Sequence, residues 1–192
     1  IRRAGHTIDD IRRGIEELKM STALGMDFLD VAFLRELDDD TCQELADLLN
    51  LIEHKVKWFG HIYLGIIVLM GKPGGGVRPI ALMPMLYRLW ARIRKPQIQE
   101  WDLKCQGPWD AAIRGSSALR AAVLTMFGDE VATLNGQTAA ATLWDMQKFY
   151  DNINIIKLIE EFKETEYPVS LAALGMQMHM APRVIKAHDH HV

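Results

Sequence analysis

Along the first fifty-odd residues, hydrophobic positions recur at helical spacing between residues suited to capping. Thr7 with Asp10 has the form of a helix start, and Ile8, Ile11, Ile15 and Leu18 follow on one face. A second helix is predicted from about Met26 to Leu37, with Phe28, Val31, Ala32 and Leu34 available for burial. Asp38, Asp39 and Asp40 suggest a metal site, but a solvated turn feeding a helix N-terminus explains them better, because negative charge is favourable there. Thr41 with Glu44 makes a capping box, and Leu45, Leu48, Leu49 and Ile52 form the stripe of the helix it opens.

After Trp58 the period changes. Ile62 to Met70 is short and β-branched, the pattern of a buried strand. Gly71-Lys72-Pro73-Gly74-Gly75-Gly76 is a turn or loop by composition, and Val77 to Leu82 supplies a return strand. Pro79 restricts that strand to a sheet edge or a strand end. A long helix is predicted from about Pro84 to Trp101, kinked near Pro96. Another runs from about Ser116 to near Gly136, with Ala118, Leu119, Ala122, Val123 and Met126 on one face. Thr138 to Trp144 is a second strand candidate ending at Asp145. Ile153 to Phe162 is helical in pattern, and Pro168 suits the start of a last helix. This order predicts an α+β fold in a single domain, with a helical segment and a glycine-tipped hairpin (62–82) over about 1–136 and a second part over about 137–192.

Composition adds three constraints. The 192 residues are 49% hydrophobic, enough for a buried core. The longest apolar run is nine residues, against about 20 for a membrane span, so no membrane partner is expected. Cys42 and Cys105 lack metal-ligand spacing and suit a reducing, intracellular compartment. The sequence opens at Ile1 with no charged-then-apolar leader, which reads as part of a longer chain.

Charge changes the picture more. The net charge is −3, yet Asp27 to Glu53 holds nine acidic residues and one basic, and His54 to Arg120 holds eleven basic and three acidic. A central block of net +8 is the kind of local field that attracts phosphates, although a solvated basic face folded against acidic neighbours would look the same.

Two segments offer chemistry. Asp145, at the end of an apolar run, is costly to bury unless paired, hydrogen-bonded or metal-bound; capping the next helix is the simpler alternative. Lys72 and Arg78 flank the glycines of the hairpin and can clamp a triphosphate, one as a point charge and one as a bidentate fork. The loop is not a Walker A motif, and a flexible turn is the plainer reading. The terminal His188-Asp189-His190-His191 has no one-face ligand spacing and reads as a frayed tail.

Together these segments resemble reverse transcriptases. Lys72 through Leu82, followed by Leu86-Tyr87-Arg88, looks like their fingers hairpin. Gly107-Pro108-Trp109 through Arg114-Gly115-Ser116-Ser117-Ala118 is similar to their next block, and Leu143-Trp144-Asp145 through Phe149-Tyr150-Asp151 to their first palm motif. The likeness is strongest to polymerases of non-LTR retrotransposons and covers roughly Lys19 to the C-terminus. It implies an RNA-directed DNA polymerase, a nucleotidyltransferase using two Mg²⁺ ions, dNTPs, an RNA template and a DNA primer, with a nuclear location. It further implies that Asp145 is catalytic and binds metal, and that the Met146 carbonyl helps hold the second ion. Tyr150 would sit under the incoming sugar, Lys72 and Arg78 would contact the triphosphate, and Arg88, Arg92, Arg94 and Lys95 would track template or primer phosphates. The family's aromatic-x-Asp-Asp turn does not appear after Asp145, so this stretch alone is expected to be inactive. The alternatives are a degenerate retroelement remnant that binds nucleic acid and a helical interaction module with an acidic partner.

Overall fold

The computed structural model describes residues 5–107, 110–112, 115–142, 152–187 and 190–191. They form an α+β structure with seven α-helices and one mixed sheet. The chain divides into two units, one of residues 1–95 and 168–192 and one of residues 96–167.

In the first unit, helix α1 (Ile8–Glu16) opens on the expected capping box, the Thr7 side chain accepting from the Asp10 N–H while Asp10 accepts from the Thr7 N–H. The second expected helix is much shorter. Phe28 takes a left-handed φ of +53° and is exposed, and Asp30 caps α2 (Val31–Arg35) through the Ala32 N–H. A left-handed Phe cannot continue a right-handed helix, so the turns predicted from Met26 do not form. Helix α3 (Asp39–Lys55) has its cap three residues before the predicted Thr41. Asp38 is its cap, accepting from the Thr41 N–H at 2.8 Å, and Asp39 and Asp40 occupy the first turn as a favourable charge. The buried ridge of α3 is Cys42, Ala46, Leu49 and Ile52, and Leu45 and Leu48 are only half-buried.

Strands β1 (Gly65–Gly71) and β2 (Val77–Leu82) form the expected antiparallel hairpin, in register from Ile66 opposite Leu82 to Gly71 opposite Val77. The sheet order β2-β1-β3-β4 makes β2 an edge, as Pro79 requires. β1 is not the buried strand expected: Gly65 is buried, Ile66 to Val68 are half-buried, and Leu69 and Met70 are exposed. Strand β3 (Arg183–Ala187), parallel to β1, and the two-residue β4 (His190–His191), antiparallel to β3, have no counterpart in the sequence reading. β4 stands where a frayed tail was expected.

Helix α4 (Met85–Cys105) contains Pro96, at which the division between units falls. Its N-terminal half buries Met85, Leu86, Leu89, Trp90 and Ile93 in the first unit. Trp58 fills the centre of that core, edge-on to Trp90 and Tyr87 with ring centroids 5.3 and 5.7 Å away. Helix α7 (Val169–His179) adds Leu171, Leu174 and Met178, and its Leu174 carbonyl accepts from the Trp58 indole N–H at 3.0 Å. The Gln177 amide donates to the Val56 carbonyl and accepts from the Tyr63 hydroxyl. These bonds tie α7 to the segment that leads into β1.

The second unit holds α5 (Ala118–Leu134), capped by Ser117, and α6 (Ile155–Glu164), capped by Asn154. Trp101, Phe162 and Tyr167 form a small aromatic cluster, and the Trp101 indole donates to the Thr165 carbonyl at 2.7 Å. α5 starts and stops close to expectation but buries no residue, against the apolar face predicted for it. Thr138 to Thr142 is exposed and joins no strand; the rest of that predicted strand lies outside the described residues.

Candidate functional site

The hairpin tip is the three-residue kind. The Gly75 N–H donates to the Lys72 carbonyl at 3.0 Å, a turn with Pro73 at its second position, and the Lys72 N–H donates to the Gly76 carbonyl at 3.0 Å. Gly75 and Gly76 have φ of +88° and +83°, which side chains adopt only under strain. The second bond extends the ladder by one pair beyond Gly71 and Val77. Side chains alternate along strands, so Lys72, Met70 and Arg78 share one face of the sheet. Both cations are exposed, and neither has an ion-pair partner among the described residues. The shoulders of the hairpin thus carry two charges directed to one side, a geometry suited to a polyphosphate.

The four cations of α4 expected to track phosphates behave differently. Arg94 is half-buried and committed to Glu53 of α3, its Nε donating to one carboxylate oxygen at 2.6 Å and its terminal nitrogen to the other at 2.5 Å. The Trp90 indole also donates to Glu53 at 2.8 Å, and His6 lies 3.0 Å from the same oxygen. Burial alone would raise the Glu53 carboxyl, but hydrogen bonds from His6, Arg94 and Trp90, with the Arg94 charge, hold it down at about 2. Arg88 turns inward, donating to the Ala23 carbonyl at 2.7 Å. Burial lowers its pKa, opposed by the nearby Asp27 carboxylate. Arg92 lies 3.7 Å from Glu17. Lys95 is exposed, and no hydrogen bond or ion pair engages it among the described residues. Of the four, Arg94 thus has donors engaged by Glu53 and Arg88 one donor engaged by the Ala23 carbonyl. A partly buried guanidinium bound to a carboxylate cannot be diverted to a ligand without stranding that carboxylate.

Asp145, Met146 and Tyr150 lie outside the described residues, and with them the metal and sugar contacts expected of this stretch. Among the described residues no group of three or more His, Cys, Asp or Glu could hold a metal ion, and no helix is long and apolar enough to cross a membrane. Strand β3, which pairs directly with the hairpin, was not expected from the sequence. Its signal is Val184-Ile185, a β-branched pair set between two cations, too short to stand out from the helix before it.

The chain matches no protein-family profile, and no curated protein is significantly similar to it.

Proposed function

We propose that this chain is the fingers and first palm portion of an RNA-directed DNA polymerase of non-LTR retrotransposon type. The observation that carries the reading is the glycine-tipped hairpin, with Lys72 and Arg78 on one sheet face and without an ion-pair partner among the described residues. On this reading the incoming dNTP lays its phosphates against those two side chains, Arg78 as a two-pronged donor and Lys72 as a mobile charge. Asp145 and the Met146 carbonyl would hold Mg²⁺, which in such enzymes stabilises the attacking and leaving oxygens. Tyr150 would pack beneath the sugar. With a single palm carboxylate motif within residues 1–192, the chain by itself binds substrate but does not polymerise.

Direct binding of a labelled dNTP tests this. Binding should require Mg²⁺ and fall about tenfold or more in Arg78→Ala, since a charge-assisted hydrogen bond contributes roughly 1.5–3 kcal/mol. Asp145→Ala should remove the Mg²⁺ dependence. Mg²⁺-independent binding, or an Arg78→Ala chain that binds as well as the parent, sinks the reading. The exposed apolar residues of α5 favour a second one, a remnant that serves only as an interaction module. It requires that no dNTP binding be found at all.

A further inference from the structure

The parallel pairing of β3 with β1 brings a third cation to the hairpin's charged face. Lys186 lies opposite Val68, and Val68 lies opposite Ile80. Partners across a ladder share a face, so Lys186 stands on the side that carries Met70, Arg78 and, by alternation, Lys72. Strands β1, β2 and β3 contain no acidic residue. Lys186 is exposed and has no ion-pair partner among the described residues. Between it and the hairpin cations run Val68 and Ile80, half-buried, and Met70, exposed.

The spacing separates Lys186 from the triphosphate clamp. Arg78 and Lys186 are two strands apart laterally and two residues apart along the strands. At about 4.8 Å per strand and 3.4 Å per residue, their Cα atoms are roughly 12 Å apart. One triphosphate can engage neighbouring Lys72 and Arg78; Lys186, on the other side of β1 and further from the glycine tip, is placed to meet a further phosphate of a longer chain. We propose that Lys186 contacts the backbone of a single nucleic-acid strand crossing this sheet face, with its bases lying over the apolar strip. That strand would be the template, which rests on the polymerase reading; the nucleic-acid contact itself does not.

The test is fluorescence anisotropy of a labelled RNA of about 20 nucleotides, titrated with the full chain at several salt concentrations, and dNTP binding measured in parallel. Lys186→Gln should weaken RNA binding several-fold and flatten the slope of log K against log salt by about 0.7, the value for one contact to a single strand. Lys186→Arg should restore the slope. Lys57→Gln, an exposed lysine outside the sheet, should leave it unchanged. Lys186→Gln should also leave dNTP binding intact. An unchanged slope in Lys186→Gln, an equal loss in Lys57→Gln, or no RNA binding by the parent chain overturns the proposal. So does polyglutamate binding as tightly as RNA with the same dependence on Lys186, which would mark a general polyanion surface. If dNTP binding is absent while Lys186→Gln still flattens the RNA slope, the polymerase reading fails and this one stands.

Discussion

At the scale of single residues, the cluster of His6, Glu53, Trp90 and Arg94 shows why a count of charges misjudges a surface. Glu53 closes the acidic block and Arg94 belongs to the basic one, yet both are largely buried and bind each other. The His6 Nδ1 is buried and has no hydrogen-bond partner among the described residues. Donation from Nε2–H to Glu53 leaves only a lone pair unsatisfied there, which costs less than a stranded N–H. Arg94→Ala should lower stability by about 3–5 kcal/mol, because Glu53 would keep its burial and lose its counter-charge. Urea unfolding followed by the fluorescence of buried Trp58 and Trp90 would measure this, and a loss below about 1 kcal/mol would refute the account. The pH dependence has a definite sign. Glu53 titrates at about 2 in the folded chain against an ordinary 4.5, so its stabilisation is complete above 4.5 and is lost as pH falls towards 2. At about 1.4 kcal/mol per pKa unit this is on the order of 3 kcal/mol. Arg94→Ala should therefore flatten the acid limb of the stability curve between those values. Nothing in the sequence marks Arg94 as internal and Lys95, its neighbour, as external; that division follows from the face each presents on α4.

At the scale of elements, polar punctuation was legible and its exact residue was not always. The cap at Thr7 acts through a local hydrogen bond, and there the spacing of residue types reveals it; Asp30 caps α2 just as locally but lies inside the helix expected from Met26. The start of α3 shows the limit. Asp38 and Thr41 both make good caps; Asp38 is the one used, and the buried ridge is Cys42, Ala46, Leu49 and Ile52, where Leu45 and Leu48 were expected beside the last two. β3 was illegible because its pairing is with β1, more than a hundred residues away. Helix packing left one feature that composition hides, Gly14 on the buried side of α1. A Cβ there would stand 2.8 Å from Ile93 Cγ1 and 2.9 Å from Leu89 Cδ1. Alanine would gain roughly 0.5–1 kcal/mol of helix propensity. Overpacking against two core side chains of α4 costs more, about 1–3 kcal/mol. Gly14→Ala should thus be net destabilising in the same unfolding assay, and a stabilised variant would show that α1 and α4 are not packed this closely.

At the scale of the whole molecule, the two units differ in what holds them. The first has a continuous core around Trp58, with α1, α3, α4 and α7 each contributing fully buried side chains. Its charge blocks are partly consumed inside it, through Glu53 with Arg94 and through Asp27, which accepts from the Leu86 N–H at the start of α4. The plain reading of the basic block, a face folded against acidic neighbours, therefore holds for much of α4. It does not hold for the sheet, where Lys72, Arg78 and Lys186 have no acidic neighbour on the strands. The second unit offers α5 little burial: Leu119 is 75% exposed, Phe127 66% and Leu134 87%. A helix of this length is marginal in water without packing, since each turn gains little beyond the cost of nucleation. Hydrogen exchange should separate the two regimes. Amides of α3 should open only with the core, whereas those of α5 should exchange faster by orders of magnitude, about 10²-fold or more, through local fraying. Equal protection in both helices would mean that α5 is covered in solution, and the apolar face would then have an occupant to identify.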